Sequence, residues 1–140
     1  MKFDDVVNER KSVRKFKSKK PDWKDIITAI ECALKTPLAG NIPTLKFILV
    51  DDKSIINKIA KSTQQNFVAQ VSYLVVVCND STDVVRSYAE KGERYAAQQA
   101  GAAIEQFLLK LVDLGLGACW VGAYAEDQIK RALKIPAGVN

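Results

Sequence analysis

From Ala96 to Leu114 the chain is dominated by Ala, Ile, Leu, Val and Phe, while Gln99, Gln106, Lys110 and Asp113 recur at spacings of seven, four and three. Those spacings confine the four polar groups to one narrow stripe of a helix, so most of its circumference must be covered by other parts of the fold. At 1.5 Å per residue such a helix is about 29 Å long, the width of a small domain. Gly115 supplies its C-terminal stop, because glycine accepts the left-handed conformation that ends helices. Leu116 to Tyr124 is apolar with glycines at both ends and reads as a short buried strand. A central helix feeding directly into a central strand is the predicted spine.

The same periodicities place the other elements. Phe3, Val6 and Val7 mark the apolar side of an opening helix, with Asp4 and Asp5 near its positive end. Asp22 is positioned as the N-cap of a second helix, with Asp25 as a capping-box acid and Ile26, Ile27, Ile30, Ala33 and Leu34 as its buried face. Thr36-Pro37 ends it. A loop from Pro37 to Pro43 precedes a strand from Leu45 to Val50, and Asp51-Asp52 opens a third helix whose core face is Ile55, Ile56, Ile59 and Ala60. Gln64, Gln65 and Asn66 form a neutral amide cluster, in the simplest reading a polar loop. Val71 to Cys78 is nearly continuous Val and Leu, which predicts a strand buried on both faces. Asn79 to Arg94 is charged and lacks apolar periodicity, so it reads as a mobile surface segment containing one helical stretch. Glu126 to Leu133 is a short amphipathic helix stopped by Ile135-Pro136-Ala137-Gly138.

Composition narrows the chemistry. One hundred and forty residues, 48% hydrophobic and 26% charged, suit a single domain spanning residues 1–140. No apolar run is long enough for a membrane span and no signal-peptide core opens the chain, so the expected location is the cytoplasm. Cys32, Cys78 and Cys119 are widely spaced in apolar segments and read as reduced core thiols. Histidine is absent, which excludes Ser-His and Cys-His machinery and His-ligated metal sites. An enzyme with this composition draws its reactive groups from a bound cofactor.

The net charge of +5 sits entirely at the N-terminus, where residues 1–24 hold nine Lys/Arg against four Asp/Glu. Within that stretch Arg10, Ser12 and Arg14 alternate, so in extended chain all three project to one side and Val13 to the other. Two guanidiniums and a hydroxyl on one side form a candidate phosphate clamp, with charge-assisted hydrogen bonds of about 1.5–3 kcal/mol each. A solvated basic turn is the alternative, and Lys17, Lys19 and Lys20 fit that description. A nucleic-acid-binding module is a further alternative, but Phe3, Phe16 and Trp23 serve helix faces better than they interleave with the basic residues, and no RRM, KH or helix-turn-helix pattern is visible. Gly115-Leu116-Gly117 does not make a dinucleotide fingerprint, because Trp120 stands at the third glycine position and the glycines follow a helix instead of opening one.

Three segments together are more specific than any one of them. Arg10-Lys11-Ser12-Val13-Arg14-Lys15-Phe16, Pro37-Leu38-Ala39-Gly40-Asn41-Ile42-Pro43 before a strand, and Leu114-Gly115-Leu116-Gly117-Ala118-Cys119-Trp120-Val121-Gly122 after an Ala-rich helix occur in this order. In that order and spacing the chain resembles the FMN-dependent nitroreductase family over essentially its whole length. The resemblance implies an α+β fold: a homodimeric three-layer α/β/α sandwich whose central sheet is mostly antiparallel, with a buried central helix. It implies that FMN is held by the Arg10-Lys11-Ser12 segment at phosphate and ribityl, with Arg14 facing the pyrimidine edge of the ring. It implies that Pro37, Leu38, Ala39 and Asn41 reach the flavin of the partner subunit and that Gln64 contacts the ring system. It also implies that Trp120, Val121 and Gly122 run beside the isoalloxazine and offer an N–H to its N5.

No catalytic side chain and no metal is implied, since the chemistry belongs to the flavin: NAD(P)H reduces it, and a nitroaromatic, quinone or similar electron-poor acceptor reoxidises it in a ping-pong cycle. Where the family has serine this chain has Leu38, and Thr44 stands where a Gln-Pro-Trp-like run is common. Family members also continue past a turn like Ile135-Pro136 with a strand, a basic phosphate ligand and an arm, so either the sequence is shortened or this is a minimal member whose phosphate rests on Arg10 and Arg14. A flavin-binding protein without efficient turnover is the corresponding alternative. A homodimer also follows from the apolar Ala96–Leu114 helix, which is hard to cover within 140 residues.

Overall fold

The long apolar segment forms a 22-residue helix, and its ending is set by local chemistry. In the computed structural model, which describes residues 1–140, α5 runs from Gly92 to Asp113 and stops in a Schellman turn. Gly115 adopts φ +78°, its N–H donates to the Val112 carbonyl at 2.9 Å, and the Leu116 N–H donates to the Leu111 carbonyl at 2.8 Å. The remaining elements are α1 (Phe3–Glu9), α2 (Trp23–Ala33), β1 (Leu45–Val50), α3 (Lys53–Thr63), β2 (Leu74–Asn79), α4 (Thr82–Tyr88) and α6 (Glu126–Leu133). Short 3-10 turns cover Ala39–Asn41, Asn66–Gln70 and Ala89–Lys91. The caps fall where the aspartates predict, with Asp22 accepting from the Lys24 N–H at 2.9 Å and Asp52 from the Ile55 N–H at 3.2 Å.

β1 and β2 pair antiparallel, with Leu45 opposite Asn79 and Val50 opposite Leu74. One face of this pair carries Leu45, Phe47, Leu49, Tyr73 and Val75 against a core built by Ile26, Ala29, Ile30 and Ala33 of α2 and Ala103, Phe107 and Leu111 of α5. Phe47 and Phe107 meet at 5.9 Å between ring centroids. The pleat turns Ile48, Val50, Val76 and Cys78 to the opposite face. There α3 packs against the 66–70 turn and α6, and Lys130 of α6 acts electrostatically on the Cys78 thiol. The arrangement is α+β in three layers, helix–sheet–helix.

Five expectations need correction. The segment from 79 to 94 is ordered by packing, not a mobile surface: Val84 of α4 is fully buried and α5 already begins at Gly92. That glycine is required, since a Cβ there would stand 2.4 Å from Val85 Cα. Leu116–Tyr124 does not form a buried strand. It makes one isolated parallel bridge, Ser12 to Ala118, and Trp120 and Tyr124 are exposed. Such a run acquires strand geometry only where a neighbouring backbone pairs along it, and here a cleft of about 1220 Å³ separates it from β2.

The same cleft explains why β2 is not buried on both faces. Leu74 to Val77 line it and are half-exposed, and only Cys78 is buried. On its edge away from β1, β2 exchanges backbone bonds only at Asn79, with Asn140, at 2.6 and 3.1 Å. Finally, α5 is covered along one stripe, Ala96, Gln99, Ala103, Phe107 and Leu111, while Ala97, Gln98, Ala102 and Glu105 are exposed. Leu34, expected in the core, is exposed because α2 ends at Ala33. No helix is long and apolar enough to cross a membrane.

Replacing Gly92 by alanine is expected to destabilise the fold by about 2–3 kcal/mol in chemical denaturation, since the added methyl meets main chain and not a flexible side chain. Burial pushes the Cys78 thiol above the ordinary thiol range, against the lowering influence of Lys46 and Lys130. Its native pKa therefore exceeds the unfolded one, so its contribution to stability is intact below about pH 8.5 and declines as pH rises through the native value. Mass-spectrometric labelling at pH 8 is expected to modify the half-exposed Cys32 and Cys119 first, and Cys78 only as fast as the protein opens.

Candidate functional site

The site assembles around one backbone contact. The Val13 N–H donates to the Ala118 carbonyl at 2.9 Å, so the chain leaving α1 lies alongside the chain leaving α5. Gly117 permits the approach: a Cβ there would stand 3.0 Å from Val13 Cγ2 and 3.3 Å from Val13 Cβ. Extended backbone alternates, so Val13 and Lys15 turn into the cleft while Arg10, Ser12 and Arg14 belong to the other side. The 10–14 segment and the glycine-flanked segment are thus joined through their main chains at Ser12 and Ala118.

The large cleft is nevertheless not where the two arginines meet; its cations are lysines, Lys15, Lys17, Lys19, Lys20 and Lys130. It is lined by Val13, Phe16, the β2 side chains, Phe107, Leu116 and Trp120, among others, and Arg10, Ser12 and Arg14 do not border it.

Each proposed contact residue has a definite place. Arg10 is half-buried and points its Nε at Glu105 Oε1 of α5, 3.6 Å away. Lys11, Ser12 and Arg14 are exposed, and Arg14 makes no ion pair. Trp120 is 53% exposed, Val121 is half-buried, and nothing lies within 4 Å of a Cβ built on Gly122. The 10–14 segment therefore offers two guanidiniums, an ammonium and a hydroxyl, and the 120–122 segment offers open main chain at Gly122. That donor set suits a phosphorylated planar ligand, with charge-assisted bonds to the anion and backbone N–H groups to ring heteroatoms.

The Pro37–Asn41 loop stands apart, packed on α5. Pro37 and Asn41 are exposed, Leu38 and Ala39 are half-buried, and Gly40 and Asn41 both adopt φ +57°. Tyr88 closes over Gly40, its hydroxyl 2.6 Å from the position a Cβ would take. Gln64 caps α3 in the left-handed conformation, φ +54°, and is exposed. Within one chain neither the loop nor Gln64 lines the cleft shared by Val13 and Trp120.

Three participants escaped the sequence reading: Glu105, Gln99 and Tyr88. Glu105 lies outside the polar stripe assigned to α5, and its pairing with Arg10 depends on how α1 crosses that helix. Gln99 is in the stripe, but only the fold reveals that it is 4% exposed. Tyr88 falls in the segment read as mobile.

A Gly117→Ala variant is expected to fold at a cost of about 1 kcal/mol while loosening the 12–118 pairing. Hydrogen exchange at the Val13 amide should accelerate by about tenfold, and exchange equal to the parent protein's would contradict the close-approach argument.

Comparison with known proteins agrees with this architecture. The sequence pattern of the Nitroreductase family matches residues 7–82 and 62–140. The chain is similar to a protein of Archaeoglobus fulgidus provisionally named an NADH dehydrogenase/NAD(P)H nitroreductase, at 27% identity over 139 residues, covering 96% of this chain and 75% of the relative. The crystal structure of a nitroreductase family protein from Clostridium novyi NT superposes with a TM-score of 0.91 at 27% identity, covering 100% of this chain and 80% of the other. An FMN-dependent nitroreductase from Clostridium difficile R20291 shares the fold, with a TM-score of 0.82 at 22% identity over 96% of this chain and 80% of its own. With the ordered motifs, the Ser12–Ala118 pairing and a family match across residues 7–140, this chain belongs to the nitroreductase family.

Proposed function

We propose that this chain is an FMN-dependent oxidoreductase that uses NAD(P)H to reduce nitroaromatics, quinones or similar electron-poor acceptors by a ping-pong cycle. The observation that carries the reading is the Ser12–Ala118 pairing, which joins the cationic 10–14 segment to the chain that leaves the Gly115 turn and leads into residues 120–122. Arg10 and Ser12 hold the phosphate and ribityl of FMN, Lys11 adds positive charge to the same edge, and Arg14 stands at the pyrimidine side of the ring. Glu105 keeps the Arg10 guanidinium oriented before an anion arrives. Trp120, Val121 and Gly122 contribute main-chain N–H groups and a flat apolar surface. When bound, FMN would supply the redox chemistry between NAD(P)H and the acceptor.

A homodimer completes the proposed site. The exposed Phe3, Trp23, Leu34, Trp120 and Tyr124 are large apolar groups of the kind a second copy covers, and the uncovered side of α5 extends that surface. In the dimer the Pro37, Leu38, Ala39 and Asn41 surface reaches the flavin of the other subunit, and Gln64 approaches the ring. Enclosure by a second copy excludes water from a cationic surface that is open in one chain, which strengthens each charged contact.

The test is a visible spectrum of the purified protein with FMN, recorded before and after anaerobic addition of NADH or NADPH. The expected result is a flavin band that bleaches on reduction and returns with a nitroaromatic or quinone. Protein that leaves added FMN free overturns the reading. FMN that binds but resists NAD(P)H leaves a flavin-binding protein without turnover. Arg14→Glu is expected to weaken FMN binding by about ten- to a hundredfold, as the loss of one charge-assisted contact implies.

A further inference from the structure

The central helix carries one glutamine amide that is sealed from water and devoted to a single loop. Gln99 is 4% exposed in the middle of α5. Its Oε1 accepts from the Ala39 N–H at 3.1 Å, while its Nε2 donates to the Ile42 carbonyl at 3.2 Å and to Thr44 Oγ1 at 2.8 Å. Acceptor and donors of the amide are thus matched to main chain on both sides of the 39–41 turn. One planar group replaces the backbone partner that an isolated loop lacks.

The loop needs such a tie. Gly40 and Asn41 are consecutive left-handed residues, and Asn41 is not a glycine, so the turn is not the conformation the free chain prefers. Within the turn, the Asn41 N–H donates to Leu38 O at 3.2 Å and the Ile42 N–H to Ala39 O at 3.0 Å. The buried Thr44 continues the connection, its carbonyl accepting from the Asp80 N–H at 2.8 Å. While Gln99 grips the inner side, the outer side presents Pro37, Gly40 and Asn41 to the exterior.

We infer that Gln99 is a positioning residue for the cofactor: it holds the Pro37–Asn41 loop in a preformed shape, and this shape is what meets the flavin of the second subunit. The inference rests on the flavin reading above and adds the residue that organises one side of that contact. Gln99 touches no ligand itself; it acts through the loop. A preformed loop forfeits less conformational freedom when FMN binds, so losing the tie lowers affinity without removing any contact atom.

The experiment uses the full chain and two variants, Gln99→Leu and Thr44→Val. Gln99→Leu removes all three hydrogen bonds at similar volume, whereas Thr44→Val removes only the Oγ1 acceptor and serves as well if the first variant does not fold. For each, amide hydrogen exchange and the FMN dissociation constant are measured beside the parent protein. In Gln99→Leu the Ala39 and Asn41 amides are expected to exchange faster while the α5 amides hold, and the FMN dissociation constant to rise by about tenfold, with Thr44→Val displaced less in the same direction. Unchanged exchange in the loop overturns the inference, and so does faster exchange with unaltered FMN affinity. Failure of the flavin reading is seen separately, as a parent protein that does not take up FMN at all.

Discussion

The hydrogen bond from the Val13 N–H to the Ala118 carbonyl determines how the rest of this protein is arranged around its site. By itself it contributes only about 1 kcal/mol. Its influence is geometric, because side chains alternate along an extended chain and a slip of one residue would reverse every one of them. With Ser12 opposite Ala118, the apolar Val13 is committed to the inner cleft and the Arg10, Ser12 and Arg14 set to the other side. Two neighbouring features fix that register. The Schellman turn at Gly115 determines where the second segment begins, and the bare Cα of Gly117 lets Val13 seat against it.

The central helix has a role beyond burying apolar area. Its polar side chains do not simply face water. Gln99 ties down the 39–44 connection, and Gln106 donates to the Cys32 carbonyl at 2.8 Å, near the end of α2. Asp113 gathers Lys110 at 2.6 Å and the N-terminal ammonium at 3.1 Å, and those cations hold its carboxyl below the usual carboxylate range. Loop placement in this fold is governed by hydrogen bonds from one rigid rod. Such bonds hold their geometry because the donor or acceptor is itself fixed by helix packing.

Much of this was legible in the sequence, for local reasons. Caps at Asp22 and Asp52, the stop at Gly115 and the periodicity of α3 and α6 depend on residues within a turn of one another, and all are found as the pattern predicts. The ordered motifs carried the family. What was not legible depended on distant neighbours. Leu116 to Tyr124 has strand composition, yet strand geometry needs a paired backbone, and only Ala118 finds one. The charged 79–94 segment has no apolar repeat, and its order comes from a bare glycine fitting against Val84 and Val85. Gln99 was visible as part of a polar stripe, but nothing in its spacing distinguishes a glutamine facing water from one facing the main chain of a loop.

The contact between Tyr88 and Gly40 ties two regions that are far apart in sequence. Tyr88 also meets the Tyr95 ring edge-on at 5.2 Å between centroids, so a single aromatic side chain bridges the 37–43 connection and the first turns of α5. The corner between α4 and α5 and the loop beneath it consequently behave as one mechanical body. A side chain introduced at residue 40 would displace the phenol, and that displacement would register at the start of the long helix before it reached any bound ring.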